Sequence, residues 1–455
     1  MTINKHLQHF DTQTVRKQFP GLEKGAVCLN NGSGALVYKG AIESIARTMS
    51  APHMNLRGLD SKSMVDVKER RAQYAKLASF MNADPDEIGK SRPTRGPILA
   101  SLSRAKALLI KIYNAFANFC PVVNQAFGPS TTGMLRTLTN SLRPNMNTDS
   151  EMIVSVLCHE AGNTAWVALA QSLGISIKWW APEGGIGNNR DPKLSLDTLR
   201  PLLSSKTRLV CCGHVSNITG TIEPIKEIAK LVHTIPEALI CVDGVAWAPH
   251  RPIDVKDLDV DFYVFSWYKV FGPHIAQLYA RRRVQKRYLT SLNHYFFDPT
   301  ALHVRLGLGN SCIELEHAVT PIITHLVDNV GWDAIIAHEE LITAQILDYL
   351  TANDDLYTVY GCETADAKAR VSLISFSVNG LASDKVAEVI HETSNFRIIT
   401  GDCWSPRTVH DVIGLPEYGI LRTSLVHYNT VEEMRAFTQK LDQVVRSLKC
   451  ETLSS

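Results

Sequence analysis

Lys269 closes an apolar run, Asp261-Phe-Tyr-Val-Phe-Ser-Trp-Tyr-Lys269, and Gly272-Pro273 just behind it forces a turn. The spacing predicts a buried strand over 261–267 with an amine at its end. Such an amine, beside the hydroxyls of Ser266 and Tyr268, suits an enzyme that holds pyridoxal 5'-phosphate as a Schiff base. A solvated lysine at a strand terminus is the more common arrangement. Upstream, Ala238-Leu-Ile-Cys-Val-Asp243 is a second apolar strand, ending in one carboxylate. A carboxylate against a pyridine nitrogen keeps that nitrogen protonated, so the ring accepts electrons released at the substrate's Cα. Asp-Gly after a strand is also an ordinary turn. It is the pairing of Asp243 with Lys269 that favours the cofactor.

The other polar candidates also fall at element ends. Pro129-Ser-Thr-Thr-Gly133 leads into a helix, and hydroxyls with free N–H groups at a helix start suit a phosphate. The turn after Val27, containing Asn31 and Gly32, lets backbone approach a ligand closely and is expected at the substrate. His159 follows one predicted strand, and His214 with Asn217 follows another. Arg422 lies inside an apolar strand, where a guanidinium wants a carboxylate; pairing with a surface acid at a sheet edge is an equal alternative.

These residues need a scaffold that brings strand ends together. Strands are predicted at 152–158, 175–180, 207–213, 238–244 and 261–267, with helices such as 164–173 and 222–233 between some of them. That alternation argues for an α/β fold with a mostly parallel sheet, which places ligand at the carboxyl ends of its strands. Helices are also expected at 40–49 and 64–82. After residue 300 come long helices over 317–353 with a break near Gly331, then β-rich stretches at 370–379, 396–400 and 420–428 and a helix at 431–448. The chain is accordingly divided into an N-terminal segment 1–39, a large domain 40–300 and a smaller C-terminal α+β domain 301–455.

With 455 residues and 45% hydrophobic content, the chain can bury a large core. Its formal charge of +2, from 47 basic and 45 acidic residues, gives no global reason to expect nucleic acid or a membrane as partner. The first residues lack an apolar signal region and no span is long enough to cross a bilayer, so a cytoplasmic enzyme is expected. The ten cysteines are scattered, several of them inside apolar strands, and no Cys/His group has zinc spacing; reduced thiols and no metal are expected. One stretch, 89–126, carries Lys90, Arg92, Arg95, Arg104, Lys106 and Lys111 and no acid. It is read as an inserted surface segment in preference to a basic amphipathic helix for an anionic surface.

Taken in order, Thr131-Thr132, Cys158-His159-Glu160, Gly213-His-Val-Ser-Asn217, Val242-Asp243-Gly244, Ser266-Trp-Tyr-Lys269 and Arg422-Thr-Ser-Leu-Val-His-Tyr-Asn429 resemble the class V aminotransferase family of fold-type I pyridoxal phosphate enzymes, in particular its cysteine desulfurase-like members. The resemblance spans nearly the whole chain. It implies that His159 stacks on the cofactor ring, Asn217 bonds its 3-oxygen, Thr131, Thr132 and Ser266 hold phosphate, Tyr268 adjoins the cofactor and Arg422 binds the substrate α-carboxylate. Lys269, Asp243 and His159 are then the catalytic residues. It also implies a homodimer, with the Gly309-Asn310-Ser311 turn reaching the partner's phosphate.

Longer blocks resemble the fungal decarboxylative aldolases of ustiloxin biosynthesis: Leu157-Cys-His-Glu, Ile177-Lys-Trp-Trp180, Val242-Asp-Gly-Val-Ala-Trp-Ala-Pro-His-Arg-Pro252, the run from Phe265 to His274, Asn293-His-Tyr-Phe296 and Phe396-Arg-Ile398. That resemblance implies removal of the side-chain carboxylate of L-aspartate and addition of the resulting enamine to an aldehyde, giving a γ-hydroxy-α-amino acid. The chain departs from desulfurases at Ala246, where they carry a glutamine, at Tyr268, where they carry a histidine, and at Cys403, one place from their nucleophile. A cysteine desulfurase or lyase using Cys403 is the alternative reading. Segment 89–126 has no counterpart in the aldolases, in which the flanks 86–88 and 127–128 nearly adjoin.

Overall fold

The computed structural model describes residues 11–51, 72–83, 125–293, 301–307 and 312–454. Residues 89–124 of the expected insertion, residues 64–71 of the helix expected at 64–82, and the 309–311 turn lie outside the described residues.

A seven-stranded sheet forms the centre of the larger unit. Its strands are β2 (Gln125–Gly128), β3 (Glu151–Ser155), β4 (Ser176–Trp180), β5 (Thr207–Gly213), β6 (Leu239–Asp243), β7 (Phe262–Ser266) and β8 (Ala276–Ala280), in the order β2-β8-β7-β6-β5-β3-β4. Five of them, from β7 to β4 in that order, run parallel, and β8 is antiparallel to both its neighbours. The α/β architecture expected from the sequence is thus present.

Alternation along the strands explains why they read as continuous apolar runs. Val210 and Cys212, Ile240 and Val242, and Tyr263 and Phe265 enter one core, while Leu209 and Cys211, Leu239 and Cys241, and Phe262 and Val264 enter the other. Both faces are covered, as a mostly parallel sheet requires. Each such side chain contributes about 1.5–3 kcal/mol on burial. The helix Ile225–Val232 shows how the cover is encoded: Ile225, Ile228, Ala229 and Val232, at helical spacing, are its buried face.

The smaller unit has an antiparallel sheet, β12 (Ile399–Gly401), β13 (Ile420–Ser424), β10 (Leu373–Val378) and β9 (Tyr357–Tyr360), in that order. Helices Trp332–Thr351, Ser383–Thr393 and Val431–Ser454 contribute to the unit, with Ile346, Leu350, Phe376, Phe437 and Leu441 in its core. The break expected near Gly331 is a π-helical turn, Thr324–Val330, after which Gly331 takes φ 88 and starts the next helix.

Two pairings cross the chain's length. Strand β1 (Val27–Cys28) pairs in parallel with β11 (Phe396–Arg397), and Leu29 sits in the core of the smaller unit. Ala318, Val319, Ile322 and Leu326, in contrast, pack into the core of the large sheet. We therefore propose the division 1–39, 40–300 and 301–455 as one of chain order, across which packing is continuous. Gln125 and Ala126, the last residues of the expected insertion, are strand residues paired with Tyr279 and Leu278.

One buried acid carries a stability prediction. Glu223 is 4% exposed, its Oε2 accepts from Leu194 N, and its Oε1 has no hydrogen-bond partner among the described residues. Burial pushes its carboxyl up to about 8. A raised folded value means that the stability present below the unfolded value near 4.5 is lost as pH rises toward 8, by up to about 5 kcal/mol. Glu223→Gln retains an acceptor for Leu194 N and removes the titration. Denaturant melts are expected to coincide for the two proteins at pH 4 and to favour the variant increasingly up to pH 8. Parallel pH curves would refute this account.

Candidate active site

The expected residues meet in a cleft between the carboxyl ends of the parallel strands and the smaller sheet. Its space is about 880 Å³, and Asn31, Gly32, Thr131, Thr132, His159, Asn217, Asp243, Ser266, Tyr268 and Lys269 line it.

At one side, β7 ends at Ser266 and a single 3-10 turn, Trp267–Lys269, carries the lysine inward. Lys269 is 8% exposed. Burial, and next the Arg422 guanidinium, push its amine down to about 8, while Asp243 and Cys403 oppose this. A substantial neutral fraction near pH 8 is what a nucleophilic or proton-accepting lysine needs.

Asp243 ends β6, and its Oδ1 accepts from Val245 N at 2.9 Å. The helix Glu160–Leu173 meets it so closely that a Cβ on Gly162 would lie 3.3 Å from Asp243 Oδ2. The positive end of that helix favours the ionised carboxylate, whereas burial raises the carboxyl above its ordinary value and Lys269 lowers it. A cation held against Asp243 would lower it further.

His159 is the N-cap of the same helix, and its Nδ1 accepts from Ala161 N at 3.0 Å. Burial first, and then Lys269 and Arg422, push its imidazole down to about 4, so the ring is neutral at physiological pH. With Nδ1 accepting, its proton resides on Nε2. The helix starts at Glu160, four residues before the predicted 164, because the imidazole cap extends it.

Thr131 opens the helix Thr131–Leu142, capped by Ser130, whose side chain accepts from Gly133 N. Thr131 Oγ1 and Ser266 Oγ are 2.7 Å apart, which joins the end of β7 to the helix start. Two hydroxyls at a helix N-terminus, where first-turn N–H groups lack intrahelical acceptors, form a site for a phosphate.

Arg422, on β13, is 2% exposed. It donates to Asn217 O at 2.8 Å, to Ser33 Oγ at 3.2 Å and to Asn30 Oδ1 at 3.4 Å, and its buried Nε has no hydrogen-bond partner among the described residues. No carboxylate neutralises it in these contacts, which sets it apart from a sheet-edge ion pair. A Cβ on Gly32 would lie 3.1 Å from Ser424 Oγ and 3.3 Å from an Arg422 nitrogen, a close approach of that backbone to the guanidinium.

Some candidates take a more structural place. Asn31 Nδ2 donates to Ser424 O, Cys28 O and Asn429 Oδ1, its Oδ1 accepts from the Tyr428 hydroxyl, and Gly32 N donates to Ser424 Oγ. Their polar atoms are thus committed to the chain itself. The Asn217 amide donates to Cys403 O and accepts from Ser405 Oγ. Tyr268 stacks on His274, centroids 5.0 Å apart, with Lys269 Nζ 5.8 Å from its ring. His214 turns aside to stack on Trp247 at 3.8 Å and to bond the Tyr263 hydroxyl.

Cys403 is 7% exposed, packed in an apolar cluster with Ile218, Tyr360, Val409, Ile413 and Ile420. Burial pushes its thiol up despite Arg422 and Lys269 nearby. Residues Ser33, Asn30 and Ser405, which hold Arg422 and Asn217, were not singled out from the sequence; their short polar side chains carry no spacing signal.

The cleft fits the cofactor that the sequence suggested. A buried carboxylate, a buried amine of lowered affinity for protons, a hydroxyl pair at a helix start and an unneutralised guanidinium match a basic ring nitrogen, an aldehyde, a phosphate and an α-carboxylate in turn. Among the described residues no group of three or more His, Cys, Asp or Glu could hold a metal ion, and no helix is long and apolar enough to cross a membrane.

Residues 115–437 match the family model described as aminotransferase class-V. The chain is 47% identical over 435 residues to a nonribosomal peptide synthetase-like enzyme, fsqF, of Aspergillus fumigatus, covering 95% of this chain but 27% of that protein. It is 44% identical over 437 residues to a cysteine desulfurase-like protein, ustD, of Aspergillus flavus, covering 96% of this chain and 91% of the other. The cysteine desulfurase CsdA of Escherichia coli shares the fold, with TM-score 0.76 at 21% identity over 96% of this chain and 99% of that one.

Proposed function

The chain belongs to the class V aminotransferase family of pyridoxal 5'-phosphate-dependent, cysteine desulfurase-like enzymes, and from that premise we propose that it removes the side-chain carboxylate of L-aspartate and joins the remaining carbon nucleophile to an aldehyde. The product is a γ-hydroxy-α-amino acid. We propose further that it acts as a homodimer in the cytoplasm.

Pyridoxal 5'-phosphate, when bound, supplies an electron sink conjugated to the amino acid's Cα. The chain's residues do the rest. Arg422 binds the α-carboxylate, with Ser33 and Asn30 fixing the guanidinium, and Asn31 and Gly32 form the wall behind it. Thr131, Thr132 and Ser266 hold the opposite, phosphate end. Two clamps at opposite ends would fix the orientation of the amino acid, and orientation of this kind contributes several kcal/mol. Lys269 would hold the cofactor's aldehyde carbon, and as a free amine it would move the Cα proton. Asp243 would keep the ring nitrogen protonated, Asn217 would bond the 3-oxygen, and His159 and Tyr268 would hold the ring. Apolar Leu373 and Val426, which also line the cleft, exclude water that would otherwise protonate the nucleophile to alanine.

The observation that carries this reading over a desulfurase is the setting of Cys403. A persulfide-forming cysteine needs an accessible thiolate. Here the thiol is buried among aliphatic side chains and held protonated although two cations lie near it. An aldolase needs no thiol.

Incubation of the holoenzyme with L-aspartate and a panel of aldehydes, read by mass spectrometry and by CO₂ release, tests the proposal. Cys403→Ser is expected to change this turnover less than about threefold, and wild-type enzyme to release little sulfide from L-cysteine with a reductant. Rapid sulfide release abolished by Cys403→Ser, with no CO₂ from aspartate, would establish the desulfurase reading instead.

A further inference from the structure

L-Aspartate brings two carboxylates, and Arg422 accounts for one. Neither Arg397 nor Arg407 is available for the second. Arg407 pairs with Glu160 and lies 4.3 Å over the Trp179 ring, and Arg397 bonds the carbonyls of Ser394 and Phe396 near its own backbone.

A different group meets the geometry. His250 lines the cleft and is 5% exposed. Its Nδ1 is 3.0 Å from Glu339 Oε1, and Glu339, fully buried, binds Arg251 through Oε2 at 3.0 Å. Arg251 also donates to His250 O and Arg370 O, so the whole group is locked. The ring's Nε2 makes no hydrogen bond to the described residues and is not among the fully buried polar atoms. Access to it follows from the turn 244–250, in which Ala248 N and Arg251 N bond back to Gly244 O and Trp247 O. Ala246 and His250 both line the cleft, and Ala246 brings only a methyl group to it.

We propose that His250, oriented by Glu339, is the specificity-determining residue that receives the donor's side-chain carboxylate. With Nδ1–H donated to Glu339, a carboxylate at Nε2 brings a proton from solvent onto that nitrogen and forms a charge-assisted hydrogen bond. Glu339 behind the ring stabilises the resulting imidazolium. Among the other titratable groups, His159, Asp243 and Lys269 line the same cleft, and His325, His338 and His427 are buried. A histidine suits a carboxylate that must leave as CO₂ better than a second arginine would, because a bidentate guanidinium would stabilise the bound charge without lowering the barrier to its loss. The inference rests on the reading of L-aspartate as donor.

The test is binding to the holoenzyme, followed by the change in visible absorption of the cofactor. L-Aspartate and L-alanine share every α-group and differ by the carboxylate at issue. In His250→Gln the concentration of L-aspartate at half-change is expected to rise roughly ten- to a hundredfold, with that for L-alanine unchanged. Glu339→Gln is expected to move it the same way by less. The visible band and thermal midpoint of each variant before addition show that the fold and the cofactor are retained. A second variant, His250→Asn, keeps the measurement usable where glutamine packs badly. Equal weakening for both amino acids, or for neither, overturns the proposal. Wild-type enzyme that binds L-aspartate no better than L-alanine, or releases no CO₂ from it, removes the donor reading itself and this inference with it.

Discussion

Replacing Lys269 by alanine is expected to abolish the visible absorption of the lysine-bound cofactor and to reduce Cα proton exchange by about 10²- to 10⁴-fold, the usual contribution of a positioned acid–base group. The setting of the lysine produces this expectation. Its amine is buried at the end of β7, pushed down to about 8, and clamped by the turn Trp267–Lys269, in which Val270 N bonds back to Trp267 O. Lys269→Arg is expected to fail equally, because a guanidinium stays protonated and cannot take the proton. Borohydride reduction followed by peptide mapping checks the assignment directly. Labelling of a lysine other than Lys269 would show that the cleft described here is not where the cofactor attaches.

The second large effect is expected at Asp243. Asp243→Asn preserves volume and retains an oxygen for Val245 N, so cofactor should still bind. The uncharged amide no longer holds a proton on a pyridine nitrogen, and exchange of the Cα proton of L-aspartate for deuterium should fall by about 10²- to 10⁴-fold while the visible band persists. Near-normal exchange, followed by NMR, would remove the role given to this carboxylate. Lengthening the side chain is expected to serve poorly, since the first turn of the helix Glu160–Leu173 approaches Asp243 closely at Gly162. The helix N-terminus leaves room for aspartate and little for glutamate.

Much of this site is legible from the chain read in order. Lys269, Asp243, His159 and Asn217 each follow an apolar run, and a mostly parallel sheet places the ends of such runs side by side, so their convergence follows from periodicity and topology alone. The strands at 207–213, 238–244 and 261–267 were readable because both faces of each are buried, which leaves little but apolar residues. Strands β2, β8 and β9 do not stand out in the sequence: Gln125–Gly128 and Tyr357–Tyr360 span only four residues each, and Ala276–Ala280 carries Gln277 among its apolar residues.

Only the tertiary structure decided which polar atoms are spent and which are free. Asn31 reads as a ligand-facing residue in a glycine-rich turn, yet its amide is consumed by Ser424, Cys28, Asn429 and Tyr428, most of them nearly 400 positions away in sequence. Arg422 reads equally as an edge ion pair, and its burial without a carboxylate appears only once β13 is placed behind the cleft. Cys403 lies in the loop where a sulfur nucleophile would be sought, but left-handed backbone at Cys403 (φ 48) and Trp404 (φ 59) accompanies a thiol buried in the apolar cluster and a tryptophan 74% exposed. His250 and Glu339 are 89 residues apart, and no local pattern announces their pairing. Sequence patterning records whether a side chain is buried and with what period, because that depends on its own element. Which donor meets which acceptor depends on elements brought together by the fold, and that information is spread across the whole chain.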